Sequence, residues 1–354
     1  MPYGVRLAAS WAWRLLVIGV VAYYALHLVG RLRFVVVPLA VALLLTALLA
    51  PAARVLGAAR APRSLAASVV VVGGLTAVVA VLTAVVNQFI QNAPALARSA
   101  AAGVNQIRDW LRTGPLHLSD KQLDKAIEEG QDWLDTNTAA LTSGAVSTAA
   151  TVFEVLAGTI LVLFATFFFL RDGGRIWDWL VRLFPRSARI RLHGAGIAAW
   201  GSLGSYVRAT VLVAFIDAIG IGLALYLLDV PLAFPLAALV FLGAFVPIVG
   251  ATLSGTVAVL VALVDADGGP VKALLVLGAV ILVQQLEGHV LQPLIMGKAV
   301  AVHPLAVIIA ITTGAVLAGI VGALIAVPVV AVLNTGVRYL LGRGPAPEAA
   351  AEAS

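Results

Sequence analysis

Residues 284–341 read QQLEGHVLQPLIMGKAVAVHPLAVIIAITTGAVLAGIVGALIAVPVVAVLNTGVRYLL. A polar cluster opens the stretch: Gln284, Gln285, Glu287, His289 and Gln292. A short connector carrying Lys298 and His303 follows, flanked by Pro293 and Pro304. Then comes an apolar run of 38 residues, 304–341, where a straight membrane crossing needs ~20. Gly314, Gly319, Gly322 and Pro328 interrupt it. Extra length with central breakers points to two half-helices, either a re-entrant hairpin or a broken helix. An apolar run built this way has lipid as its solvent, and that decides the fold class.

The rest of the chain agrees. Of 354 residues, 62% are hydrophobic and 11% charged, against roughly 45–50% and 25% in a soluble domain. Mean hydropathy is +1.05. The net charge of +6 reads as arginine held at one membrane face, with no nucleic-acid partner implied. No Cys is present, which excludes disulfides and thiolate metal sites. Walker A, HExxH, GxSxG and dinucleotide motifs are absent, so the sequence predicts a non-enzyme with no cofactor and no metal.

Moving outward, spans are expected at 11–30, 34–53 and 65–86. The first carries no cleavage site and reads as an uncleaved span. Residues 90–145 change character, with five basic and seven acidic side chains. Apolar positions at helical spacing (Leu96, Val104, Ile107, Leu111; Leu123, Ile127, Leu134) predict two amphipathic helices outside the lipid. Span four is expected at 147–170. The connector 171–191 holds six Arg and two Asp, which places it in the cytoplasm. Ile176, Trp179, Leu180 and Leu183 predict that it lies on the membrane surface. Span five, 207–228, has Asp217 at its centre, beside a stripe of small or polar residues: Thr210, Ala214, Gly220 and Ala224. A second overlong run, 232–264, is broken by Pro235, Pro247 and Gly250, and span seven is expected at 271–292. Overlong runs on both sides of span seven hint at an internal repeat.

Counting sides from the basic connector puts 90–145 outside, 54–63 inside, 31–33 outside and both termini inside. If 232–264 returns to the side it entered from, Asp265 and Asp267 are outside and Lys298 is inside; if it crosses fully, those acids are inside and Lys298 outside, and the first version fits the placement of basic residues better. The expected organisation is therefore N-terminal membrane helices in 1–89, an extramembrane helical segment in 90–145, span four with its basic connector in 146–206, a transport region in 207–343 and a disordered tail in 344–354.

An ionisable group at membrane depth costs about 2.5–3.5 kcal/mol for Asp and is a functional hypothesis by default. Asp217 and Glu287 qualify. At 100° per residue, Gln285, His289 and Gln292 share one helix face, with Gln284 and Glu287 on the adjacent one. Such a wall can hydrogen-bond a polar solute or relay a proton. It can equally satisfy backbone groups freed by the broken segments. Pro247-Ile248-Val249-Gly250 and Gly319-Ile320-Val321-Gly322 are the expected unwound points, where half-helix ends present N–H groups or carbonyls to an ion or solute.

Several stretches carry a resemblance: LEGHVLQPLIMGKAVAVHPLAVI at 286–308, GAVLAGIVGALIAVP at 314–328, FFFLRDG at 167–173, GSLGSYVRAT at 201–210 and FVPIVGATLSG at 245–255. Together they resemble the AI-2E family of bacterial membrane transporters. The resemblance covers nearly the whole chain, with 90–145 the weakest part. It implies an all-α polytopic inner-membrane protein of about eight transmembrane segments. It also implies a secondary exporter of small polar solutes, with autoinducer-2 as the namesake cargo, assembled as a homo-oligomer and specifically a pentamer. Two alternatives stay open. One is a sodium/proton antiporter of the same family. The other is a structural or regulatory membrane protein that binds a partner through 90–145.

Overall fold

Inside lipid the backbone must satisfy its own hydrogen bonds, and a helix does so within one segment. The computed structural model describes residues 12–113 (apart from 15, 18, 22, 25, 26 and 29), 148–245, 249–265, 269–296 and 304–342. All regular structure among them is helical. Six helices are long and apolar enough to cross a membrane, and three shorter apolar ones accompany them among the described residues. In chain order they are α1 (Ala12–Val21), α2 (Arg33–Ala58), α3 (Arg63–Thr113), α4 (Thr148–Arg182), α5 (Arg186–Leu227), α6 (Ala233–Gly243), α7 (Val249–Leu263), α8 (Gly269–Leu286), a π-helix (Glu287–Met296) and α9 (Pro304–Leu340).

The expected reversal at 31–33 does not occur. Leu32 N–H donates to Leu28 O at 2.9 Å, and Leu32 O accepts from Val36 N–H at 2.9 Å. The hydrogen-bond ladder therefore runs into α2 with a bend and no loop. Arg and Leu are good helix formers, so charge alone does not end a helix.

Two more boundaries fall inside continuous helices. α3 is 51 residues long, about 77 Å at 1.5 Å per residue. It carries span three straight into the first expected amphipathic helix, Trp110 included. The second, with Trp133, lies outside the described residues, as do Lys298, His303 and the tail 344–354. The basic connector is likewise not a separate helix. α4 runs through the arginines to Arg182, and α5 starts at Arg186, so the two long helices meet at a tight turn. Arg189 closes that turn by donating to Phe184 O at 2.9 Å and Arg182 O at 2.8 Å, satisfying carbonyls the helix end leaves open. Glycine lets the neighbours in: a Cβ at Gly196 would strike the Trp177 indole, and one at Gly194 would strike Tyr339.

Both overlong runs are hairpins. In the first, α6 and α7 flank the segment that contains Pro247; Pro247 itself is outside the described residues. Gly243 and Gly250 pack backbone to backbone, because a Cβ on either would collide with the carbonyl of the other. The two ends of the hairpin come together at its base. Lys272 Nζ lies 2.6 Å from Asp265 Oδ2 and 3.4 Å from Asp229 O. The chain thus returns to the side it entered from.

In the second, α9 folds back at Ala318 (φ −145°, ψ 26°) and Gly319 (φ 60°, ψ −146°). Gly314 and Gly322 touch through their backbones just as Gly243 and Gly250 do. The base of this hairpin sits at the arginine-bearing end. Val307 and Ile311 from the first limb, and Val327 and Val332 from the second, pack together with Leu203, Tyr206, Val207 and Ala47. Pro304 opens the first limb. Pro328 breaks nothing: the second limb runs straight through it, and it is fully buried. Pro293 lies inside the π-helix, and Pro235 is in the first turn of α6.

The two hairpins thus enter from opposite ends of the bundle, each after one long helix: α5 precedes the first and α8 the second. The sequence marks the equivalence. Gly243-Ala244 and Ile248-Val249-Gly250-Ala251 flank one turn, and Gly314-Ala315 and Ile320-Val321-Gly322-Ala323 flank the other. This is the arrangement of an inverted-topology repeat.

Candidate functional site

Asp217 occupies the gap between two apolar clusters on α5. Below it, Leu203, Tyr206 and Val207 pack with α2 and α9. Above it, Ile221 and Leu225 pack with α6, α7 and α8 through Leu236, Ala258, Ala262 and Val276. Asp217 is buried, and its Oδ1 has no hydrogen-bond partner among the described residues.

Glu287 answers it from the neighbouring element. α8 runs antiparallel to α5 and approaches closely at Gly220, where a Cβ would come within 3.0 Å of Val283. One turn further on, Glu287 starts the π-helix and is a charge neighbour of Asp217. An ionised carboxylate only accepts hydrogen bonds. Two carboxylates placed as neighbours at this depth repel each other, and a shared proton relieves the repulsion. Losing it leaves two like charges in contact unless a cation replaces it.

The π-helix changes the wall of polar side chains. Its wider turn, closed by i→i+5 bonds, displaces side chains from the 100° spacing, and such segments appear frequently at functional sites. Gln284 points toward the first hairpin: a Cβ at Gly255 would stand 3.8 Å from Gln284 Nε2. Gln285 and His289 share a face as expected, with His289 Nδ1 3.1 Å from Gln285 O, but both are exposed on the outside of the bundle. Gln292 lies in the π-helix, and its side chain is outside the described residues. The polar cluster therefore divides. Glu287 and Gln284 face inward toward α5 and α7, while Gln285 and His289 face outward.

Both hairpin tips reach the level of Asp217. Phe215 packs on Phe241 with ring centroids 4.8 Å apart, just before α6 ends at Gly243. At the opposite end, Thr335 Oγ1 donates to Ser202 Oγ at 3.2 Å. Measured from that contact, Gly319 lies about 24 Å along α9 and Asp217 about 22 Å along α5. Both hairpin turns thus stand at the level of the carboxyl pair. Gly314, Gly319 and Gly322 form one tip, and Gly243 and Gly250 the other. Gly243 was not singled out from the sequence, although the repeated Gly-Ala…Ile-Val-Gly-Ala text carries the signal.

Comparison with known proteins gives a consistent result. The model of the AI-2E family transporter matches residues 13–342. MT0215 of Mycobacterium tuberculosis, named as a transport protein without a stated cargo, is 46% identical over 341 residues, covering 96% of this chain and 92% of that protein. The AI-2 transport protein TqsA of Escherichia coli is 25% identical over 312 residues, 87% of each chain. A sodium-lithium/proton antiporter of Halobacillus andaensis is 24% identical over 335 residues, 90% of this chain and 92% of that one.

Proposed function

This chain belongs to the AI-2E transporter family, and we propose that it is a secondary exporter of small polar solutes, of which autoinducer-2 is the namesake, driven by an ion exchanged at Asp217 and Glu287. The observation that carries the reading is the carboxyl pair between α5 and the π-helix, with Asp217 buried and Glu287 half-buried. No Walker A motif is present in the sequence to couple ATP directly, whereas the pair offers a site for one proton or one small cation at mid-membrane.

The cycle follows from charge. With one proton shared, the pair carries a single negative charge, which costs less at this depth than two. With the proton gone, a sodium ion or the hydroxyls of a polar solute must take over the exposed oxygens. Gln284 supplies a further amide beside the pair. Carbonyls near the tip glycines supply ligands of the kind that broken helices offer to ions. The two hairpins, entering from opposite ends, form the two barriers between this centre and water. In this reading the arginine-bearing turn between α4 and α5 is cytoplasmic, the membrane is the bacterial inner membrane, and the chain works as a homo-oligomer, a pentamer by family likeness.

A second reading, sodium/proton antiport with no organic cargo, rests on the same pair. Purified protein in liposomes separates the two. Flux of an autoinducer-2-type diol that requires a sodium or pH gradient supports the export reading. Sodium-dependent proton flux with no diol flux supports antiport. Absence of both overturns ion-coupled transport.

A further inference from the structure

The turn from α5 into the first hairpin is made without a glycine. α5 ends in a two-bond cap: Val230 N–H donates to Leu225 O at 2.9 Å, and Asp229 N–H donates to Tyr226 O at 3.1 Å. Such a cap puts the residue after the helix in the left-handed region, where glycine is usual. Here that residue is Asp229, at φ 50°. Val230 and Leu225 complete the cap by packing in one buried cluster. Pro231 follows with its fixed φ. Leu232 is left-handed again, at φ 61° and ψ 27°, where it caps α6. A left-handed leucine is rare and strained. Its side chain is buried, and its carbonyl accepts from Leu236 N–H at 2.9 Å.

One ammonium fastens this turn from outside. Lys272 Nζ donates to Asp265 Oδ2 at 2.6 Å and to Asp229 O at 3.4 Å. It therefore joins the start of α8, the far end of α7 and the strained turn ahead of α6. The Lys272 and Asp265 side chains are 19% and 11% exposed, so the pair is partly shielded from water. Residues 233–264 carry no charged side chain, and the limbs α6 and α7 meet their neighbours through apolar contacts. Ile221 of α5, one turn beyond Asp217, lies beneath them in the buried cluster.

We infer that the Asp229–Leu232 turn is a sprung hinge latched by Lys272, on which the first hairpin swings to open the Asp217–Glu287 centre toward the end away from the arginines. The inference rests on the proposed role of the hairpins as the barriers around that centre. Release of the ammonium frees the Asp229 carbonyl and the end of α7 together, and the left-handed residues then relax toward ordinary backbone.

The test uses the full chain in nanodiscs, where both faces meet water. The chain has no Cys, so a single introduced thiol reports alone. Ile221→Cys places it beneath the first hairpin, and Val207→Cys places it against the limbs of the second. Labelling by a charged methanethiosulfonate is timed for each. Adding Lys272→Gln should speed labelling of the Ile221→Cys variant by about tenfold or more and leave the Val207→Cys variant at its own rate. Lys272→Arg keeps the charge and the donors and should keep labelling slow. Asp229→Gly, added to Lys272→Gln, should bring the rate back toward that of the parent, because glycine holds a left-handed turn without strain. Should Lys272→Gln fail to assemble, Asp265→Asn removes the same pair and must give the same acceleration. Unchanged labelling beneath the first hairpin overturns the latch. Equal acceleration of the Val207→Cys variant overturns it too, since the whole bundle has then loosened. A rate that Asp229→Gly leaves high overturns the sprung turn. Labelling requires no transport, so these outcomes stand apart from the flux of Asp217→Asn and Glu287→Gln, whose parent-like transport would overturn the coupling role of the carboxyls instead.

Discussion

The two hairpins solve one problem in different ways. Each must reverse the chain in the middle of the bundle and still keep its limbs packed. The first does so with separate helices on either side of a proline-containing turn, and its base is fastened by Lys272, whose ammonium meets Asp265 and the Asp229 carbonyl. The second turns within two residues, at Ala318 and Gly319, and its base is held by packing and by the Thr335–Ser202 hydroxyl contact. Gly319, at φ 60° and ψ −146°, has a backbone conformation that side chains disfavour. The first hairpin therefore depends on a charged clasp at its mouth, and the second on the backbone freedom of one glycine at its tip. What they share is the glycine pair that lets the limbs touch.

That shared device should give the largest effects. Gly322→Val and Gly250→Val each place a side chain against a facing backbone carbonyl that has nowhere to go. Each is expected to cost about 3 kcal/mol or more, beyond ordinary overpacking, and to abolish folded protein in detergent size-exclusion and thermal-unfolding assays. Gly278→Ala, in open space, is the control and should be neutral or slightly stabilising. A folded Gly322→Val would mean that the limbs of the second hairpin stand apart.

Next come the points where the hairpins differ. Gly319→Val should destabilise by about 1–3 kcal/mol through backbone strain alone, since a Cβ there meets nothing within 4 Å. Lys272→Ala leaves Asp265, 8% exposed, without its ammonium. It should loosen the mouth of the first hairpin by about 1–3 kcal/mol, read as faster hydrogen exchange in α6 and α7 with α9 unchanged. Equal exchange in both hairpins would erase the distinction between clasp and hinge. The smallest effect belongs to Thr335→Val, about 0.5–1.5 kcal/mol for a lost hydroxyl contact.

How legible this was in the sequence depended on the range of the interaction. Runs too long for one crossing, with Gly and Pro at their centres, already called for half-helices, because length and breaker position are local properties. Asp217 and Glu287 each stood out as carboxyls at membrane depth. Their meeting did not, because it joins two helices seventy positions apart through a contact at Gly220 and Val283. A fixed 100° step could not show that a π-helix begins at Glu287. The loop expected at 31–33 failed for a related reason: charges mark a membrane boundary, but only a breaker ends a helix. The connector 171–191 forms no helix of its own, because α4 continues through its arginines to Arg182 and α5 begins at Arg186, a continuity that amphipathic spacing alone does not reveal.

The central claim is that the carboxyl pair carries the coupling and does not serve merely to hold the bundle together. Glu287→Gln and Asp217→Asn remove the exchangeable charge while keeping shape and hydrogen-bonding capacity, and the neutral forms cost less in lipid. The most direct measurement is solute and ion flux in liposomes, across pH 6 to 8, for the parent and both variants, with assembly checked by size-exclusion. The account predicts that both variants assemble as the parent does and that Glu287→Gln loses about tenfold or more of its flux and its dependence on pH. Parent-like flux from both assembled variants at every pH would contradict it, and the ion path would then have to run along the hairpin tips without the carboxyls.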